Sequence, residues 1–196
     1  MQGWPLLGTL TAGLLLMAAA VLMLGPDAEG VRQLIRVTAR SSCVLFLLAF
    51  TASVAARRWP GSLTRWQLAN RRQIGLGFAV SHGIHAAAIA GFAWIDPSGF
   101  HLATSPGNFV SGGLAYVFIV LMAATSFDGA VRWLGAKRWR LLHLAGLYFL
   151  WISFLITFGK RIPMSAGYVL PVVVLLSALA LRLWPQRRGL QLSTTR

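Results

Sequence analysis

Apolar residues along this chain come in long blocks separated by short polar or basic segments. Six stretches, 4–24, 34–55, 73–95, 109–127, 141–159 and 165–184, each match the roughly 20 mostly apolar residues a helix needs to cross a bilayer. Together they take up about two thirds of the chain. The connections are short, and the longest charged one, Arg57 to Arg72, is too small to hold a folded domain. The pattern predicts an all-α integral membrane protein, a bundle of six transmembrane helices forming one domain over 1–196, with a short tail at 185–196.

Composition agrees: 57% of the residues are hydrophobic and 11% charged, against roughly 25% charged in soluble domains. The formal net charge of +14 would suggest nucleic acid as a partner in a soluble protein, but its distribution points to the lipid bilayer instead. Arg57, Arg58, Arg65, Arg71 and Arg72 lie between spans two and three. Arg132, Lys137, Arg138 and Arg140 lie between four and five, and Arg187, Arg188 and Arg196 follow span six. All three segments fall on one side, whereas Asp27, Glu29 and Asp96 fall on the other. By the positive-inside rule both termini are expected on the cytoplasmic side. The first span lacks a basic leader and exceeds a signal-peptide core in length, so it is expected to remain in the mature chain. Cys43 stands alone inside span two and supports neither a disulfide nor a thiolate cluster. No phosphate-binding loop is present, so nucleotide chemistry is not expected in this chain.

Ionisable or metal-ligating side chains are costly within a bilayer, which makes the histidines candidates. His82 and His85 lie about 15 and 20 Å along span three from Arg72 and share one helix face. His143 is just inside span five, and His101, in the outer loop with Asp96 and Pro97, reads as a solvated residue. Neutral imidazoles on separate helices without acidic partners suit b-type haem, with a histidine bonded to a neighbouring helix as the alternative. Gly75, Gly77, Gly83 and Ala86 to Ala88 give span three a face against which a porphyrin could pack.

The run Arg71-Arg72-Gln73-Ile74-Gly75-Leu76-Gly77-Phe78-Ala79, continuing to His85, resembles the R-R-x-L-G-L-x-x-F motif of ferric-reductase-like transmembrane domains. Thr125-Ser126 with Leu134-Gly135-Ala136-Lys137-Arg138-Trp139-Arg140-Leu141-Leu142-His143 resembles a segment of the haem-binding membrane subunit of the bacterial methionine sulfoxide reductase system. Thr38-Ala39-Arg40 is similar to a T-G-R of the same subunit. The resemblance covers about residues 30 to 160 and implies a six-helix bundle passing electrons through b-type haem. It implies His85 as a ligand from span three and His143 as the first of two histidines on span five. The second, 13 residues on, is absent: Ile156 occupies that position. His85 and His143 differ in depth by about 15 Å and cannot share one iron. A haem held by one histidine, a ligand from elsewhere, or a fold that has lost haem all remain open.

Arg32, Arg36 and Arg40 form a stripe along the outer end of span two. Arg32 and Arg36 are expected to snorkel, whereas Arg40, deeper, is a candidate for a haem propionate or an anionic quinone, or a carbonyl-bonded structural arginine. The tryptophans near span ends form an aromatic belt. The function expected is electron transfer from a separate redox protein, a cytoplasmic flavin protein, or quinol to an outer-face acceptor. The rival is a haem-free structural or assembly subunit of a larger membrane complex. A transporter is disfavoured by the lack of intramembrane acids.

Overall fold

The computed structural model describes residues 2–185, and the expected tail lies outside them apart from Pro185. Six helices long and apolar enough to cross a membrane are present, and among the described residues there is no strand. In chain order the helices are α1 (Trp4–Leu24), α2 (Ala28–Arg58), α3 (Ser62–Ala69), α4 (Arg71–Ile95), α5 (Pro97–Ala103), α6 (Pro106–Ala124), α7 (Asp128–Leu134), α8 (Ala136–Gly159) and α9 (Val169–Leu183). Two 3₁₀ turns, Ile162–Met164 and Ala166–Tyr168, join α8 to α9. The spans are α1, α2, α4, α6, α8 and α9. The short helices α3, α5 and α7 lie in connections that the apolar pattern left as loops, so His101 sits on α5 and is exposed.

Helix α2 is longer than its apolar stretch. Its 31 residues extend roughly 46 Å at helical rise, against a hydrocarbon core of about 30 Å. The excess carries Arg32 and Arg36 at one end and Arg57 and Arg58 at the other. The Asp27 carboxylate caps the start, accepting from the Gly30 N–H at 2.9 Å. Gly30 is required there because a Cβ would run into the Gly25 carbonyl. Gly135, between α7 and α8, has a φ of 81°, a region that favours glycine.

The spans run alternately up and down, bringing the basic connections to one end. There Asn70, 1% exposed, joins three helices. Its side-chain oxygen accepts from the Gly3 N–H at 2.9 Å and its amide donates to the Trp66 carbonyl at 2.8 Å. Arg72 pairs with Asp128, and Arg58 donates to the Trp184 carbonyl at 3.2 Å. At the opposite end Arg32 meets Asp96 at 3.3 Å and Arg36 meets Glu29 at 2.7 Å. These arginines are therefore paired rather than only snorkelling.

Helix α2 is the central post, packed against α1, α3, α4 and α9, while α8 packs on α6 and α9. A column of aromatic rings fills the middle: Phe46 lies 5.8 Å from Phe78 and 5.3 Å from Phe154, and Phe154 lies 6.1 Å from Phe158. The Trp151 indole N–H donates to the Leu175 carbonyl at 2.9 Å, tying α8 to α9. The α2–α4 contact is polar instead. Ser81 on α4 lies 2.9 Å from the Ser41 hydroxyl and 2.8 Å from that of Ser42. Hydroxyls of this kind join helices in lipid, where apolar side chains gain nothing by leaving one hydrocarbon for another. The outer surfaces remain apolar, with Leu16 and Leu170 each 70% exposed, as a lipid solvent requires.

Candidate functional site

Two groups of residues carry chemistry, one in the half of the bundle away from the basic loops and one at the basic end. In the first, His85 lies on the face of α4 turned to α2, with Nδ1 2.9 Å from the Thr38 hydroxyl. Thr38 is completely buried, and its hydroxyl is 2.6 Å from the Leu34 carbonyl of its own helix. His82 packs 5.3 Å from the His85 ring and among Phe78, Tyr116 and Phe154 at 5.0, 5.6 and 5.8 Å. Its Nδ1 and the Tyr116 hydroxyl are buried without a hydrogen-bond partner. Such orphans are uncommon and call for an explanation. Arg40 is exposed, and its guanidinium and that of Arg161 both reach the Tyr168 hydroxyl.

At the basic end His143 is half-buried, with its Nε2 3.0 Å from the Thr125 hydroxyl. Thr125 in turn sits 2.6 Å from the Leu121 carbonyl. The Trp139 ring, one turn earlier on α8, lies over the imidazole at 4.3 Å, and its indole N–H donates to the Thr125 carbonyl at 2.9 Å. His143 lines a cavity of about 430 Å³, of a size that takes a small-molecule ligand. Its apolar walls include Phe46, Phe78, Leu147 and Leu150. Gly75 faces it from α4 with open space where a Cβ would be. That places His143 level with Gly75 and roughly 15 Å along α4 from His85, as helical rise predicts.

Arg71, Arg72, Arg140 and Arg182 also line this cavity. Arg71 donates to the Ala49 carbonyl at 3.1 Å and the Ser53 hydroxyl at 3.3 Å; Arg182 donates to the Phe50 carbonyl at 2.8 Å and lies over the Phe50 ring. Asp27, Glu29 and Asp96 are used elsewhere and Asp128 pairs with Arg72, so among the described residues only Arg72 of these four arginines has a carboxylate partner. Three guanidinium groups at an apolar cavity without an acid make a place for an anion. Arg182 was not singled out in the sequence, because its partners are 132 residues away on α2; a lone arginine in the last turn of an apolar span was the one signal.

The structure thus brings His82 and His85 together and leaves His143 apart from them, in keeping with the depth difference, while Arg40 turns to Tyr168. Helices α4 and α8 make little direct backbone contact and meet through Phe78 and Phe154, whose rings are 6.2 Å apart. Ile156 does not face His85 across that gap: it is 49% exposed on the lipid side, and Phe154 points inward instead. Among the described residues no three His, Cys, Asp or Glu side chains are grouped to hold a metal ion.

Residues 37–155 match the family described as the ferric reductase-like transmembrane component. Over 129 residues the chain is 33% identical to the protein-methionine-sulfoxide reductase heme-binding subunit MsrQ of Polaromonas naphthalenivorans (strain CJ2). The alignment covers 59% of this chain and 54% of that protein, so the chain spans about half the length of this relative. No solved structure matches the chain significantly.

Proposed function

Because this chain belongs to the ferric reductase-like transmembrane component family, we propose that it is the electron-transfer subunit of a redox system in a bacterial inner membrane and that it binds b-type haem. The electrons come from a cytoplasmic flavin protein or from quinol and leave to an acceptor on the outer face. The observation that carries the reading is the cavity beside His143. A flat apolar ring edged by carboxylates and bearing an iron fits apolar walls, arginines without a carboxylate partner and an imidazole. His143 and His85 would supply nitrogen ligands, Arg71 and Arg182 cations for the carboxylates at the basic end, and Arg40 with Arg161 cations at the other end. When bound, haem supplies a one-electron couple. The chain's own part is to orient and to insulate: the rings of Phe46, Phe78 and Phe154 exclude water between the two levels, and the low dielectric strengthens the arginines' hold on an anion. The relative's name ties it to methionine sulfoxide reduction, and the same system is the first in which to look for this chain's acceptor.

A second reading is favoured by the packing around His82. Phe78 and Phe154 occupy the space level with it, and α8 has no inward histidine there. A haem-free subunit that keeps the fold as a scaffold for a larger complex accounts for both. A pyridine haemochrome assay on the purified chain, with a reduced-minus-oxidised spectrum, decides. Haem in the wild-type protein, diminished in His85→Ala or in His143→Ala at normal expression, supports the electron carrier. A colourless wild-type protein from haem-replete cells leaves the scaffold.

A further inference from the structure

Thr38 and Thr125 occupy equivalent places beside the two candidate ligand histidines, but they touch opposite ring nitrogens. Each threonine oxygen sits 2.6 Å from a carbonyl one turn back in its own helix, Leu34 for Thr38 and Leu121 for Thr125. Two oxygens approach that closely only with a proton between them. A hydroxyl has one proton, so in both residues it is already committed to the carbonyl, and the oxygen can only accept from the imidazole. At His85 the contact is to Nδ1, at 2.9 Å; at His143 it is to Nε2, at 3.0 Å.

The geometry points to Thr38 and Thr125 as positioning residues that fix the two histidines in opposite tautomers, so that His85 presents a bare Nε2 and His143 a bare Nδ1. Resting on the haem reading above, the assignment makes His85 the pre-set ligand, with its outer nitrogen free. His143, by contrast, turns only its inner nitrogen to hydrogen-bond donors and metals. The α2–α4 seam holds the first arrangement. Ser81 bonds Ser41 and Ser42 on the same helix and lies 3.4 Å from the Thr38 carbonyl, so α4 cannot rotate against Thr38 without breaking these contacts. Trp139 holds the second, through its tilted ring contact with His143 and its bond to the Thr125 carbonyl. A partner on the non-ligating nitrogen fixes ring orientation and raises the basicity of the other, and its loss lowers metal affinity about 10- to 100-fold.

The test uses the full chain in detergent with ¹⁵N-histidine, expressed with haem withheld. The four imidazoles are assigned by single His→Gln variants, and long-range ¹H–¹⁵N correlations report which nitrogen is protonated. The expected pattern is Nδ1–H at His85 and Nε2–H at His143. Thr38→Val, which keeps the shape and removes the oxygen, should release His85 to the other tautomer or a mixture without moving His143. Thr38→Ser should restore the wild-type pattern, and Thr125→Val should affect His143 alone. With haem added back, Thr38→Val should bind it about 10- to 100-fold more weakly than wild type, and Thr38→Ser within a few-fold. Nε2–H at wild-type His85, an unchanged His85 signal in Thr38→Val, or undiminished haem affinity in that variant would each overturn the inference. If wild type takes up no haem, the proposed function fails on that result, while the tautomer pattern still decides the positioning role.

Discussion

Ser81→Ala is the most direct probe of how the polar α2–α4 seam is held. The side chain is completely buried and the substitution removes its bonds to Ser41 and Ser42, at 2.9 and 2.8 Å. Interhelical hydrogen bonds within membranes average about 0.6 kcal/mol and reach about 1.7. Two good bonds therefore bound the loss between about 1 and 3 kcal/mol. The lower figure applies, because neither partner is stranded. Ser41 already donates to the Thr38 carbonyl at 3.1 Å, and Ser42 can turn back to a carbonyl of its own helix, as serines in helices do. A loss of about 1 kcal/mol shifts the folding equilibrium about five-fold. SDS titration of the protein in mixed micelles, followed by tryptophan fluorescence, measures it. Ser81→Leu should cost more, about 1–3 kcal/mol from overpacking a site with no free volume, and should draw His85 away from Thr38. An Ala variant as stable as wild type, or one destabilised by more than about 3 kcal/mol, would refute this account of the seam.

Asp96 accepts from the Gly99 N–H and the Ser98 hydroxyl and faces Arg32, and these contacts hold its carboxyl below the usual range. A depressed value means that the stabilisation is present above the unfolded value, about 3.9, and is lost as pH falls through the folded one. Asp96→Asn should flatten thermal stability against pH below about 4, and an unchanged slope would discount the cap. Ile156→His should add no haem, because the position faces lipid, and should cost about 1–3 kcal/mol for an unpartnered polar group. Phe154→His, on the inner face near His82, is the variant expected to change the optical spectrum, and the reverse outcome would mean that α8 is turned differently. A topology reporter inserted within 60–70 should be active only in the cytoplasm, and one between α5 and α6 only outside; swapped activities would invert the orientation proposed from the basic loops.

The apolar blocks determined the number, order and approximate ends of the spans. In lipid every backbone polar group must be satisfied within its own segment, and a helix of about 20 residues does this without reference to anything else. The motifs beginning at Arg71 and ending at His143 determined the family for a similar reason, since their residues lie close together in the chain. Depth was legible too. Fixed helical rise put His143 about 15 Å from the level of His85, and the cavity that His143 lines is lined on α4 by Gly75. What the sequence could not determine is which way a side chain turns about its helix when the helix is apolar all round. Helix α8 has no amphipathic signal to orient it, so Ile156 and Phe154 were indistinguishable until packing against α2 and α4 turned Phe154 inward. The convergence of Arg71 with Arg182, the pairing of Arg32 with Asp96, and the ring nitrogen each threonine meets were likewise decided by the tertiary structure. Each depends on the rotation and approach of helices far apart in sequence, to within the few tenths of an ångström over which a hydrogen bond is made or lost.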